Sequence, residues 1–206
     1  MHYKHHTMTK ILNIISSPRG ADSETIKLSA AIIEKIKAND AHAVVHELDL
    51  TKDPFPHLGN TEIAAFFTPA EVRSPGQNEI LALSDEAISK LQDADIVVIG
   101  APLYNFGIPS TLKSWIDHIA RVGKTFRYSE QGAEGLVKGK KVYIAMSSGA
   151  VYSDGFFQPY DFVSPYLRTM LGFLGMTDLT IFRIEGVNIP GLKETALERA
   201  IENIRI

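Results

Sequence analysis

The sequence predicts a doubly wound α/β domain, and three observations carry that prediction. Four short runs are largely apolar and rich in Ile and Val: ILNII (11–15), DIVVIG (95–100), VYIAM (142–146) and LTIFRI (179–184), with a weaker fifth, HAVVHEL (42–48). Between them lie stripes of helical period, so strand and helix alternate along the chain. Because the runs are apolar on both faces, the sheet they form is parallel and covered on each side by its crossover helices.

Taken in order, residues 11–15 form the first strand, and Leu28, Ile32 and Ile36 mark the core face of the helix after it. HAVVHEL is a more polar second strand. Residues 51–78 hold Pro54, Pro56, Pro69 and Pro75 around the short helical stretch TEIAAFF, and form an excursion from the domain instead of a boundary. Leu81, Ser84, Ile88 and Leu91 define the next helix, DIVVIG the third strand, and Leu112, Trp115, Ile116 and Ile119 the helix that follows. Residues 123–140 and 147–160, on either side of VYIAM, are long loops bearing Gly, Phe and Tyr. Val163, Leu167, Met170 and Leu174 give a helix, LTIFRI the last strand, and Leu197, Ala200, Ile201 and Ile204 the closing helix. The expected organisation is a polar, His-rich tail over residues 1–8 and one domain over 9–206.

Bulk properties exclude several classes of function. A chain of 206 residues with 45% hydrophobic and 22% charged residues suits one packed core. The net charge of −3, without a basic stripe, gives no electrostatic grip on nucleic acid or an anionic membrane, and no window reaches the ~20 apolar residues of a membrane span. The absence of cysteine removes disulfides, thiolate catalysis and Cys-ligated metal, and a cytoplasmic location is expected. No metal site is expected in the tail, whose histidines precede any periodic segment, nor at His42 and His46, which a strand separates by more than about 12 Å at its ~3.3 Å rise. His118 is expected to be a packing or surface residue.

A parallel sheet opens the C-terminal ends of its strands on one rim, so SSPRGADSET, APLYNFGIPST and SSGAVYSDG face the same way. The first loop has no Gly-x-Gly-x-x-Gly. Its residues fit two readings: Ser17, Ser23 and Thr25 with the helix N–H groups surround a phosphate, or Asp22 or Ser23 caps the helix with Glu24 in its first turn. In the second loop Pro102 and Pro109 stiffen a segment carrying Leu103, Tyr104, Asn105 and Phe106, suited to the edge and face of a flat heterocycle. The third places Ser147, Ser148, Gly149 and Ala150 together, small enough for close backbone approach or for an ordinary turn. Gly123-Lys124-Thr125 is not a P-loop, since His118 stands where its first glycine belongs, and Ala145-Met146-Ser147-Ser148-Gly149 lacks the first glycine of a hydrolase elbow.

The run from APLYNFGIPST through SSGAVY, followed by SPYLRTMLGFLGM, resembles the FMN-dependent NADH-azoreductase family over nearly all of residues 9 to 188. The resemblance implies a flavodoxin-like fold with five parallel strands in the order 2-1-3-4-5, a homodimer, and FMN at the switch point of the sheet. It further implies phosphate at Ser17 and at Ser23, Glu24 and Thr25, the isoalloxazine against Pro102 to Phe106, and its pyrimidine end near Ser147 to Ala150. Ser148 and Ala150 depart from the family's usual Ser-Arg-Gly-Gly. The implied reaction takes two electrons from NADH or NADPH through FMN to a quinone, azo compound or nitroaromatic. Phe126, Tyr128 and Tyr152 are the expected walls for that flat acceptor, and the chemistry calls for no catalytic acid or base. Phe162, Tyr166 and Phe173 lie off the core stripe of their helix, as a dimer contact requires. The nearest alternative is an NADPH-dependent FMN or quinone reductase of a related flavodoxin-like family; a flavodoxin-type electron carrier and a binding module without flavin are the alternatives from other classes.

Overall fold

The computed structural model describes residues 8–206. The His-rich residues 1–7 of the expected tail lie outside them. Five strands, β1 (Lys10–Ile15), β2 (Val44–Asp49), β3 (Ile96–Pro102), β6 (Lys141–Ser147) and β7 (Asp178–Ile184), form one parallel sheet in the order β2-β1-β3-β6-β7. Counting these sheet strands alone, the order is the expected 2-1-3-4-5. Two further strands, β4 (Phe126–Ser129) and β5 (Gly132–Gly135), make a separate antiparallel hairpin.

Alternation along the strands sorts the core into two layers. Leu12, Ile14, Val97, Ile99, Val142 and Ile144 face the side covered by α3 (Pro75–Asp93), α4 (Ser110–Ile119) and α5 (Val163–Leu174). Ile11, Val98, Tyr143, Ala145 and Ile184 face α1 (Glu24–Asn39) and α6 (Ala196–Glu202). Strands buried this way must be apolar on both faces, which is why their sequences read as continuous hydrophobic runs.

The excursion after β2 contains α2 (Asn60–Phe67), as TEIAAFF predicts, and it is fixed to the domain by aromatic contacts. His118, wholly buried on α4, bonds the Pro56 carbonyl through Nε2 at 3.0 Å and lies against the rings of Phe55 and Phe66. It is the packing histidine its position suggests. Beside it the Arg121 guanidinium, 3% exposed, donates to Ser84 Oγ and Asp85 Oδ1 at 2.8 and 2.9 Å and sits 4.6 Å from the Phe66 ring. Burial lowers the pKa of Arg121, an effect that Asp85 opposes.

Four local expectations are corrected. Residues 123–140 are not all loop, because they contain the β4–β5 hairpin, held by the Arg127–Glu134 cross-strand pair and by close approach of Gly135 to Gly175. A Cβ on Gly135 would lie 2.2 Å from the Gly175 nitrogen, so only glycine lets the hairpin seat there. On α5, Leu171 is buried where Met170 was expected, and Met170 is half-buried. His42 lies in the turn before β2 and not on a strand. In the last helix Ala196 and Ala200 face the core, and Ile204 packs from beyond its end.

Candidate functional site at the sheet rim

The first loop caps α1 and gathers further hydroxyls beside the start of that helix. Ser23 caps α1, its hydroxyl accepting from the Ile26 amide at 3.4 Å. Yet Ser17, Ser23 and Thr25 are all at most 2% exposed, the Ser23 and Thr25 hydroxyls lie 3.0 Å apart, and Thr25 is not needed for the cap. Among the described residues nothing accepts from the amides of Glu24 and Thr25, the first two of α1. Orphan donors at a helix N-terminus, beside hydroxyls, are the kind of groups that hold an anion. The Glu24 carboxylate is drawn along the helix to Lys27 at 3.0 Å, away from the amides.

The second loop is the most distinctive part of the rim. The amide of Tyr104 donates to the Gly107 carbonyl and that of Gly107 to the Tyr104 carbonyl, both at 3.0 Å, closing a two-residue hairpin turn. Its central residues, Asn105 and Phe106, have φ of 49° and 69°, and among described non-glycine residues they alone have positive φ. A turn of this hand favours Asn then Gly, so phenylalanine at the second position is strained. Strain at a turn on the sheet rim, holding Phe106 43% exposed, points to a use for the ring. The Leu103 amide donates to the Ser147 carbonyl at 2.8 Å and so fastens this loop to the third.

In the third loop the Ser148 hydroxyl turns inward to the Ala150 carbonyl at 2.8 Å, leaving the backbone to face the rim. No group among the described residues accepts from the Gly149 or Ala150 amides. The loop is laced to the chain after β7: Val187 donates to the Ser148 carbonyl and Asn188 to that of Gly149, at 3.2 and 3.0 Å. A Cβ on Gly149 would meet the Asn188 side-chain nitrogen at 2.6 Å.

These loops bound a cleft of about 180 Å³ that Ser17, Ser23, Glu24, Pro102, Leu103 and Tyr104 line on one side and Ser147, Ser148 and Gly149 on the other. Tyr104 also borders a neighbouring space of about 630 Å³, with Ser16, Thr51, Asn105 and Thr111. Thr25, Phe106 and Ala150 flank the cleft without lining it. The sequence reading missed Arg19, Val187 and Asn188, which do line it. The rim argument applied to the loop after the fifth strand, EGVNIPG, would have found the last two.

The three expected acceptor walls are placed differently. Phe126 is half-buried against Phe173, ring centroids 4.7 Å apart, and Tyr128 stands 71% exposed on the hairpin; neither lines the two spaces. Tyr152 is buried beneath Phe157, centroids 5.5 Å apart. The exposed rings of that loop are Phe156, Phe157 and Tyr160, and Tyr160 reaches Phe106 at 5.7 Å. Next to the turn, Gly107, Ile108, Phe162, Pro165 and Tyr166 line an open apolar hollow of about 720 Å³. Burial pushes the Tyr166 phenol up to about 12, with Asp117 adding to the effect, so it stays protonated at neutral pH.

The sheet order is that of a flavodoxin-like fold, and over residues 9–205 the chain matches the family described as having that fold. The chain belongs to that flavodoxin-like family. Among its relatives is the FMN-dependent NADH:quinone oxidoreductase of Herminiimonas arsenicoxydans, 54% identical over 180 residues, 87% of this chain and 88% of that protein. The enzyme of the same description from Mesorhizobium japonicum is 44% identical over 94% of this chain and 93% of its own. Similar flavodoxin-like structures include an azoreductase from Bacillus anthracis str. Sterne (TM-score 0.88, 32% identity, covering 95% of this chain and 96% of that one). An FMN-dependent NADH-azoreductase in complex with FMN, from B. anthracis str. Ames Ancestor, has a TM-score of 0.83 at 28% identity over 95% and 97% of the two chains. In flavodoxin-like sheets the ligand lies outside the carboxyl ends of the strands, where the strand order reverses between β1 and β3, which is where these loops converge. Among the described residues no helix is long and apolar enough to cross a membrane.

Proposed function

We propose that this chain is an FMN-dependent oxidoreductase that takes electrons from NADH and delivers them in pairs to quinones and azo compounds. The observation that carries the reading is the anion seat of neutral donors at Ser17, Ser23 and Thr25, set across one rim from the strained Tyr104–Gly107 turn. Relatives described as FMN-dependent NADH:quinone oxidoreductases support it, as does the FMN-bound azoreductase structure.

The donors present fit a phosphate monoester. The α1 amides and three hydroxyls would hold its oxygens, Arg19 stands at the cleft, and the helix dipole would favour the charge. Pro102, Leu103, Tyr104, Asn105 and Phe106 would border the flavin ring, and the backbone of Ser147, Ser148, Gly149 and Ala150 would meet its pyrimidine edge. There the unpaired Gly149 and Ala150 amides would serve as preorganised donors to that edge. FMN supplies the redox chemistry itself, accepting a hydride from the nicotinamide and passing two electrons to the acceptor. The chain's own part is to bind, to orient and to keep water from the ring.

The same reading includes a homodimer. Phe162, at 57% exposed, Pro165 and Tyr166 form with Ile108 an apolar face next to the turn, and a second copy covers it. Such a contact brings the partner near the cleft, where Phe126 and Tyr128 have a role as acceptor walls that the single chain does not give them. Use of NADH fits a cytoplasmic location.

The test is steady-state turnover of FMN-reconstituted protein with NADH and NADPH against a benzoquinone, an azo dye and a nitroaromatic. Quinone and azo reduction that depends on added FMN is expected. Absence of NADH oxidation with every acceptor overturns the reading.

A further inference from the structure

The loop between β6 and α5 is held at both of its ends by two charged side chains of a single strand end. Arg183 and Glu185, two residues apart, point to the same side of the sheet. At the near end of the loop, Glu185 Oε1 accepts from the amides of both Tyr152 and Ser153 at 2.8 Å, and Oε2 accepts from the Ser153 hydroxyl. At the far end, Arg183 Nη2 donates to Asp161 Oδ2 at 2.8 Å and to Ser164 Oγ at 2.6 Å. Asp161 in turn accepts from the amides of Val163 and Ser164, each at 3.0 Å, and so begins α5. A contact of 3.7 Å between Arg183 Nη1 and Glu185 Oε1 joins the two grips.

What these grips hold out is aromatic. Tyr152, Phe157, Tyr160 and Phe106 form a chain of ring contacts with centroid distances of 5.5, 6.4 and 5.7 Å, leading from the loop's buried start to the strained turn at the cleft. Phe157 and Tyr160 are 38% and 41% exposed. The loop itself contributes no charged partner to fix these rings apart from Asp154, which caps its own short turn through Gly155, and Asp161.

We propose that Glu185 and Arg183 are positioning residues for the electron acceptor: by pinning both ends of residues 150–162 they hold Phe157 and Tyr160 as a wall beside Phe106, against which a flat acceptor stacks. This rests on the reading of the cleft as a flavin site. Neither side chain touches the flavin seat, so the effect falls on the acceptor half of the reaction.

The experiment uses full-length, FMN-loaded protein and three variants, Glu185→Ala, Glu185→Gln and Arg183→Met. Amide hydrogen exchange across residues 150–162 is measured together with anaerobic stopped-flow kinetics, in which NADH reduces the flavin and benzoquinone then reoxidises it. In Glu185→Ala and Arg183→Met, loop exchange quickens, flavin reduction by NADH stays within about twofold, and the half-saturating quinone concentration rises about tenfold. Glu185→Gln keeps an oxygen that accepts from Tyr152 and Ser153, so it restores quinone saturation to within about threefold. The proposal is overturned by unchanged quinone saturation in both truncations, by a glutamine variant no better than alanine, or by an effect on flavin reduction instead. Wild-type protein that NADH fails to bleach overturns the flavin reading, and this proposal with it. Wild-type turnover alongside indifferent variants overturns this proposal alone.

Discussion

Phe106→Gly separates a residue kept for packing from one kept for a ligand. At φ 69° the phenylalanine backbone is strained, and glycine removes about 1–2 kcal/mol of that cost. Against this stand the lost contact with Tyr160, at the low end of about 0.5–1.5 kcal/mol because the ring is 43% exposed, and about 0.5–1 kcal/mol for glycine's larger unfolded-state freedom. The sum leaves the flavin-free protein within about 1 kcal/mol of wild type in urea denaturation. Flavin binding, followed by fluorescence quenching, weakens about three- to tenfold as the ring is lost from the edge of the site. A variant that loses more than about 2 kcal/mol of stability while binding FMN normally makes Phe106 a packing residue and refutes the reasoning.

Other consequences follow from the same contacts. Gly135→Ala drives a Cβ into the Gly175 backbone and should cost about 2–3 kcal/mol in chemical denaturation; a neutral result would mean the hairpin does not seat on α5. Arg121→Met removes a buried guanidinium whose partner Asp85 keeps Lys124 at 2.9 Å, so the loss should be about 2 kcal/mol, less than for a stranded charge, and a stabilised variant would contradict the latch. Burial holds the His118 pKa below its ordinary 6.5, with the Pro56 carbonyl only partly opposing it. The folded state therefore keeps this histidine neutral while the unfolded state takes up a proton, so its contribution is whole above that value and declines as pH falls below it. Urea midpoints across that range should slope less in His118→Phe than in wild type, and parallel slopes would contradict the assignment. Ser23→Ala removes a cap worth about 1 kcal/mol and one hydroxyl of the anion seat. It should weaken FMN and riboflavin unequally, and equal weakening would leave Ser23 a cap alone.

The sheet was legible because its central strands β1, β3 and β6 are buried on both faces, and a run such as Ile96–Ala101 has few other places to go. The rim loops were legible because parallel topology sends every strand's carboxyl end to one side. The β4–β5 hairpin was not, since FRYS and GAEG are short, largely exposed and without alternation. Its stability comes from tertiary contacts at Gly135 and Phe126, which no local pattern announces. Tyr152 and Phe157 look alike in sequence, yet Tyr152, whose amide donates to Glu185, is buried and Phe157 is exposed, a difference that depends on contacts distant in sequence. Capping and anion binding at Ser23 could not be separated by reading residues, because both use the same hydroxyl and the same helix end.

The most direct measurement on the central claim is a comparison of FMN with riboflavin binding to flavin-free protein by fluorescence titration. A rim built around a phosphate seat predicts that FMN binds tightly and that riboflavin, lacking the phosphate, binds about a hundredfold or more weakly. Equal affinities, or no binding of either flavin, would contradict it.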